Sequence, residues 1–286
     1  IKTGGIFVKI KKLISALVLG SMLVGLSGCN ITDFSAENLL RPPKAVGDEA
    51  EIEQLIAKTA DSGYTLKYPK NGKFRSAIIM TDLDGNDSNE AVAFFRNSAE
   101  TSSVHMLVMY SKDNSWKIAS DNIFETTDID SVDFADLTGN GKAEIIVNST
   151  TYTPNVGKLS CYSYSEGKTN EVGSGQSCSS FVTGDFDNDG TSEIMSLVLY
   201  TTENEALASM LDYNEDSKSL YAKAMANMDP NVVKYKNIAV TKLDNDITGI
   251  VVDGTSANEV TNTQVIFYSR DLAILRNPLF KEKAKN

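Results

Sequence analysis

The sequence predicts an all-β fold built from repeated sets of short strands, and three observations predict it. Beyond residue 63, apolar residues recur with period two in runs of four to eight, rich in Val, Ile, Phe and Tyr. Gly, Asn, Asp and Ser bound these runs, as turn chemistry requires. An acidic loop returns at the junction between the first two strands of a set, starting at Asp82, Asp136 and Asp185, 54 and then 49 residues apart. A sandwich also has evenly spaced strands, but it has no reason to put one acidic loop at the same strand junction three times. The expected architecture is therefore a β-propeller of about four four-stranded blades, or an open or truncated part of a larger one.

The elements follow in order. Lys9, Lys11 and Lys12 precede an apolar run from Leu13 to Leu26, and no acid occurs before Asp33. A basic segment followed by so short an apolar run predicts an export signal peptide rather than a spanning helix. Val8 reads as the start, with residues 1–7 as upstream sequence translated in frame. The run ends in Leu26-Ser27-Gly28-Cys29, which resembles the bacterial lipobox. That resemblance implies cleavage after residue 28 and a diacylglyceryl group on Cys29, hence a cell-membrane lipid anchor on the extracytoplasmic face. Two acyl chains hold a protein on a membrane where one is marginal.

Residues 29–47 are polar and turn-rich, with Pro42 and Pro43, and read as a linker. Residues 48–62 carry acids in the first turn and Ile52, Leu55 and Ile56 at helical spacing, which predicts one short helix. Residues 63–286 form the repeat domain. Its strand runs are RSAIIMT, EAVAFF, VHMLVMY and SWKIAS; then DSVDFA, EIIVNST and KLSCYSYS; then SSFVTG, EIMSLVLY, ALASMLDY and SLYAKAM. The last set is KNIAVTK, TGIVVDG, TQVIFYS and LAILRN. The tail offers no closing strand after Phe280, which predicts a longer natural chain or an open arc.

The net charge is −11, and removal of residues 1–28 takes it to about −15, because four lysines and no acid are lost. Phosphate backbones repel such a chain, so nucleic acid is excluded as an expected partner. Cys161 and Cys178 are candidates for a disulfide in an exported protein, and spacing alone leaves the pairing open.

The acidic loops carry the chemistry. They read DLDGNDSNE (82–90), DLTGNGKAE (136–144) and DFDNDGTSE (185–193). Position 1 is Asp82, Asp136 or Asp185; position 3 is Asp84, Thr138 or Asp187; position 5 is Asn86, Asn140 or Asp189; position 9 is Glu90, Glu144 or Glu193. A turn with oxygens at alternate positions can aim them at one centre, with a backbone carbonyl added from position 7 (Ser88, Lys142 or Thr191). Six or more oxygens suit Ca²⁺. An EF-hand needs Glu at position 12 and flanking helices. Position 12 here is Ala93, Val147 or Ser196, between strands, which excludes it.

At these residues the chain resembles the FG-GAP or VCBS repeats, calcium-binding propeller blades also found in integrin α-subunits. The likeness covers residues 75 to about 270. LLRPPK (39–44), LKYPKNGKFRSA (66–77) and DLDGNDSNEAVAFF (82–95) look more closely like a group of bacterial VCBS-repeat lipoproteins of unassigned activity. The resemblance implies side-chain ligands at positions 1, 3, 5 and 9, and two or three structural Ca²⁺ ions. The middle loop, with two carboxylates, is expected to bind most weakly. The fourth set keeps Asp244 and Asp246 but no acid at the first or ninth position, and is expected to be an empty turn.

Enzyme signatures are sparse. His105, the single histidine, lies in an alternating strand and reads as a packed residue. Neither GxSxG, CxxC nor a phosphate-cradling Gly-Lys motif is present. Trp116, Tyr152, Tyr162 and Tyr164 could stack on sugars, although alternating strand aromatics commonly just pack. Two readings follow: a tethered module whose propeller binds an extracellular protein or glycan, and a calcium-dependent carbohydrate-active enzyme resembling a polysaccharide lyase. A lyase would keep a Lys, Arg, Tyr or His cluster beside a metal.

Overall fold

Each of four successive stretches of the chain folds back on itself into an antiparallel sheet. The computed structural model describes residues 47–278 except 62, 154, 245, 246 and 272. The signal peptide, Cys29 and nearly all of the linker lie outside the described residues, as does Asp246. No helix among the described residues is long and apolar enough to cross a membrane.

Helix α1 (Asp48–Ala60) starts at Gly47, whose φ of 64° suits glycine. Asp48, Glu49 and Glu51 sit in its first turn and Lys58 in its last, the arrangement the helix dipole favours. Sheet 1 contains β1 (Tyr64–Leu66), β2 (Ile78–Thr81), β3 (Glu90–Asn97), β4 (Val104–Lys112) and β5 (Ser115–Phe124). β1 and β2 share one edge of β3, pairing with its two halves through Leu66↔Phe95 and Ile78↔Ala93. Sheet 2 runs β6 (Ile129–Ala135), β7 (Glu144–Thr150), β8 (Gly157–Ser165) and β9 (Lys168–Cys178).

Sheet 3 runs β10 (Ser180–Gly184), β11 (Glu193–Tyr200), β12 (Glu205–Asn214) and β13 (Ser219–Asn227). Sheet 4 runs β14 (Val232–Asp244), β15 (Ile247–Ser256), β16 (Thr261–Ser269) and β17 (Ile274–Arg276). Sheets 2 to 4 are open meanders of neighbouring strands, and sheet 1 is one with β1 added beside β2, a propeller-like arrangement.

Alternation along the central strands explains why the sheets stack. On β3, Ala91, Ala93 and Phe95 face α1, while Val92 and Phe94 face sheet 2. On β7, Ile145 and Val147 face sheet 1 and Ile146 faces sheet 3. On β11, Ile194 faces sheet 2, whereas Met195, Leu197 and Leu199 face sheet 4. Strands buried on both faces need apolar residues at every position, which is why they read as continuous runs. Ile52 and Ile56 of α1 are fully buried on the free face of sheet 1. Each contributes about 1.5–3 kcal/mol of transfer free energy.

The fourth strand that a four-stranded second set requires is β9, where Gly173, Gly175 and polar residues hide the alternation. One sequence expectation changes. The Cys161–Cys178 disulfide is not formed: both thiols are free and buried. Register explains this, since Cys178 pairs with Gly157 and Cys161 with Gly173. Four residues of strand, about 13 Å, separate the cysteines along β8, beyond disulfide reach.

Candidate metal centres

All three acidic loops leave the last residue of a first strand and return at the first residue of the second. They share one hydrogen-bond frame. The position-1 carboxylate accepts backbone N–H groups from across its own loop: Gly85, Asn86 and Asp87 donate to Asp82 at 2.8–3.2 Å. Asn140 and Gly141 donate to Asp136, and Asp189 and Gly190 to Asp185. The position-5 oxygen accepts the position-7 N–H in Asn86, Asn140 and Asp189, at 2.7, 2.8 and 2.8 Å. The position-9 glutamate accepts the position-2 N–H through Oε2, at 2.8 Å in every loop. Positive φ at Gly85, Gly139 and Gly141 lets the backbone turn that tightly.

Position 2 anchors each loop. Leu83 packs between sheets 1 and 2, Leu137 between sheets 2 and 3, and Phe186 between sheets 3 and 4. The loops also touch one another: Ala143 N–H donates to the Leu83 carbonyl, and Ser192 N–H to that of Asp136. They therefore form one continuous row at one end of the stack. Arg270 of sheet 4 ends the row, donating to the Asn188 carbonyl at 3.1 Å. Sheet 4 has no comparable loop, because β14 and β15 pair as far as Asp244↔Ile247.

The oxygens converge to different degrees. Asp185, Asp187, Asp189 and Glu193 bring ligand atoms within 4.8 Å of one another, as do Asp82, Asp84 and Glu90. Oδ1 of Asp84, Oδ1 of Asp187 and Oε1 of Glu193 are buried without a hydrogen-bond partner. A buried carboxylate oxygen left unpaired is costly, and a cation is the group that would satisfy it. Both clusters are compatible with Ca²⁺. The middle loop differs, since Thr138 Oγ1 donates to Glu144 Oε1 at 3.2 Å and supplies internally what an ion would.

Electrostatics split each cage. Burial pushes the Glu90, Glu144 and Glu193 carboxyls up, that of Glu193 to about 8, against the backbone N–H each accepts. Burial also raises Asp82, but the N–H groups of its loop outweigh this and hold it below the usual range. Asp189 is held low in the same way by Thr191, Lys223 and Arg270. Sequence reasoning missed Lys223, on β13, and Arg270, in the turn after β16, because neither carries a local signal.

His105 is 7% exposed, stacks on Phe95 and pairs with Asp121 at 2.9 Å. Tyr162, Tyr164 and Trp116 are packed, whereas Tyr152 is exposed. A cleft of about 780 Å³ opens between the starting ends of β6, β10 and β14, with Lys70–Gly72 and the β7–β8 turn completing its wall. These strands run from the cleft toward the acidic end, so three to five residues of strand, about 10–17 Å, separate cleft and loops. A scan against protein-family models and a search of the curated proteins found no match for this chain.

Proposed function

We propose that this chain is a β-propeller of about four blades, of FG-GAP/VCBS type, stapled by Ca²⁺. On this reading a lipid on Cys29 tethers it to the outside of the cell membrane, where it serves as an interaction module for a protein or glycan. The observation that carries the reading is the repeated loop frame, in which buried carboxylate oxygens of loops one and three stay unpaired. A dication there would turn mutually repelling acids into a bonded cluster and, binding only the folded state, would stabilise it by mass action. Because each loop inserts its position-2 side chain between two sheets, an ion there would lock sheet to sheet.

Lys223 and Arg270 do stand beside the third loop, but Lys223 is tied to Asp187 and Asp212 and Arg270 to the Asn188 carbonyl, and the cleft lies at the other end of the strands, which favours a module over a calcium-dependent lyase. The test is thermal melting with Ca²⁺ and with chelator, alongside calorimetric Ca²⁺ titration. The reading expects two strong sites, with at most a weaker third, and a melting temperature that chelator lowers. No binding heat together with an unmoved melt would remove the ion, and release of unsaturated uronate from a polysaccharide would replace the module by an enzyme.

A further inference from the structure

The cleft carries a charge opposite to that of the chain. Its charged wall residues are Lys70, Lys234, Lys236 and Asp130, three cations against one anion, in a protein of net charge −11. Lys70 pairs with Asp128 at 3.1 Å. Lys234 and Lys236 are exposed and pair with no carboxylate among the described residues. Asp130 is occupied: Asn71 Nδ2 donates to it at 2.8 Å, Ser131 Oγ at 3.0 Å and Asn148 Nδ2 at 3.4 Å.

We propose that this cleft binds an anionic oligosaccharide; the inference rests on the interaction-module reading and names the ligand class of that module. Lys234 and Lys236 supply the attraction for the anionic groups. A simple anion is not enough, because the wall also asks for donors. The contact with Asp130 fixes the Asn148 amide with its nitrogen toward the carboxylate, which leaves Oδ1 buried without a partner. The Tyr235 hydroxyl is also buried and unpartnered, but its ring packs in the core between sheets 3 and 4. Sugar hydroxyls both donate and accept, so they match a wall made of amides and hydroxyls.

Much of the remaining wall is hydroxyl or amide, and the volume lies within the usual ~300–1,000 Å³ of ligand sites. Tyr152, 94% exposed between the wall residues Thr151 and Thr153, offers a ring for a pyranose face. Several separate chain segments close the cleft into a depression rather than a groove along one strand edge. That shape suits a short oligosaccharide better than an extended peptide.

The experiment is calorimetry on the full chain in detergent with Ca²⁺ present, using tetragalacturonate, neutral cellotetraose and tetraglutamate as probes. Tetragalacturonate should bind, more weakly as salt rises, with cellotetraose and tetraglutamate at least tenfold weaker. The double variant Lys234→Ala/Lys236→Ala should lose at least tenfold in affinity while keeping its Ca²⁺-dependent melt. No heat with tetragalacturonate, or equal affinity in the lysine variant, would overturn the proposal; tight binding of tetraglutamate instead would make the cleft a peptide site. A Ca²⁺-dependent melt without uronate binding sinks this inference alone, whereas uronate binding without that melt sinks only the ion.

Discussion

Lys223 joins the third acidic loop to a neighbouring strand: its ammonium lies 2.5 Å from Asp187 and 2.7 Å from Asp212. Burial alone would lower the Lys223 pKa, but the two carboxylates outweigh it and hold it above its ordinary value. Asp187 gives Lys223 its Oδ2 and keeps Oδ1 unpaired. One carboxylate thus faces a built-in cation on one side and the candidate ion site on the other.

Lys223→Met leaves Asp187 and Asp212 without their shared counter-charge. In chelator the variant should lose about 2 kcal/mol, the scale of a charged hydrogen bond. Saturating Ca²⁺ should then raise its melting temperature more than that of the parent, because the ion becomes the main counter-charge. Equal Ca²⁺-induced shifts in the two proteins would show that Lys223 and the ion site are independent.

Glu193 sets the pH response. Its carboxyl is raised from the ordinary value of 4.5 to about 8, chiefly by burial. In chelator the folded protein therefore holds a proton between about 4.5 and 8 that the unfolded chain releases. This contribution to stability is full below about 4.5, falls by up to about 1.4 kcal/mol per pH unit as pH rises, and is gone above about 8. Ca²⁺ displaces the proton, so apparent affinity should rise with pH up to about 8. Glu193→Gln should flatten the chelated profile and remove one ion from the calorimetric count. A Glu193→Gln protein with unchanged stoichiometry would clear Glu193 of any part in binding.

The middle loop can be converted. Thr138→Asp replaces the hydroxyl that satisfies Glu144 and gives the loop a third carboxylate. The variant should melt lower in chelator, by about 1–3 kcal/mol for an unsatisfied charge. It should also bind one additional Ca²⁺ tightly. Stoichiometry equal to the parent's would mean that the loop backbone, not its charge, decides occupancy.

Burial pushes the Cys178 thiol up to about 12 and raises that of Cys161 as well. Thiolate is the reactive form, so both should resist a thiol reagent in the folded protein and react on unfolding. Reductant should leave the melting temperature unchanged. A reductant-sensitive melt would reveal a bridge that the register of β8 and β9 does not permit.

Strand alternation and the acidic loops were legible because both are local. EIIVNST matches β7 residue for residue, and each loop sits between its first and second strands. The failures of local reading are equally specific. β9 was hidden by its glycines, and β1 by its brevity, since three residues are too few to show a period.

Residue order along one chain determined the repeat, the positions of the oxygen donors and the burial of the central strands, because a period needs only neighbours to be seen. Tertiary structure decided what surrounds those donors. It brought Lys223 and Arg270 to the third loop, turned the Thr138 hydroxyl onto Glu144, and kept the two cysteines apart. It also assembled the cleft from segments near residues 70, 130, 150, 180 and 235. Charges that far apart in sequence interact only after the sheets pack, since Coulomb forces depend on distance through space rather than along the chain.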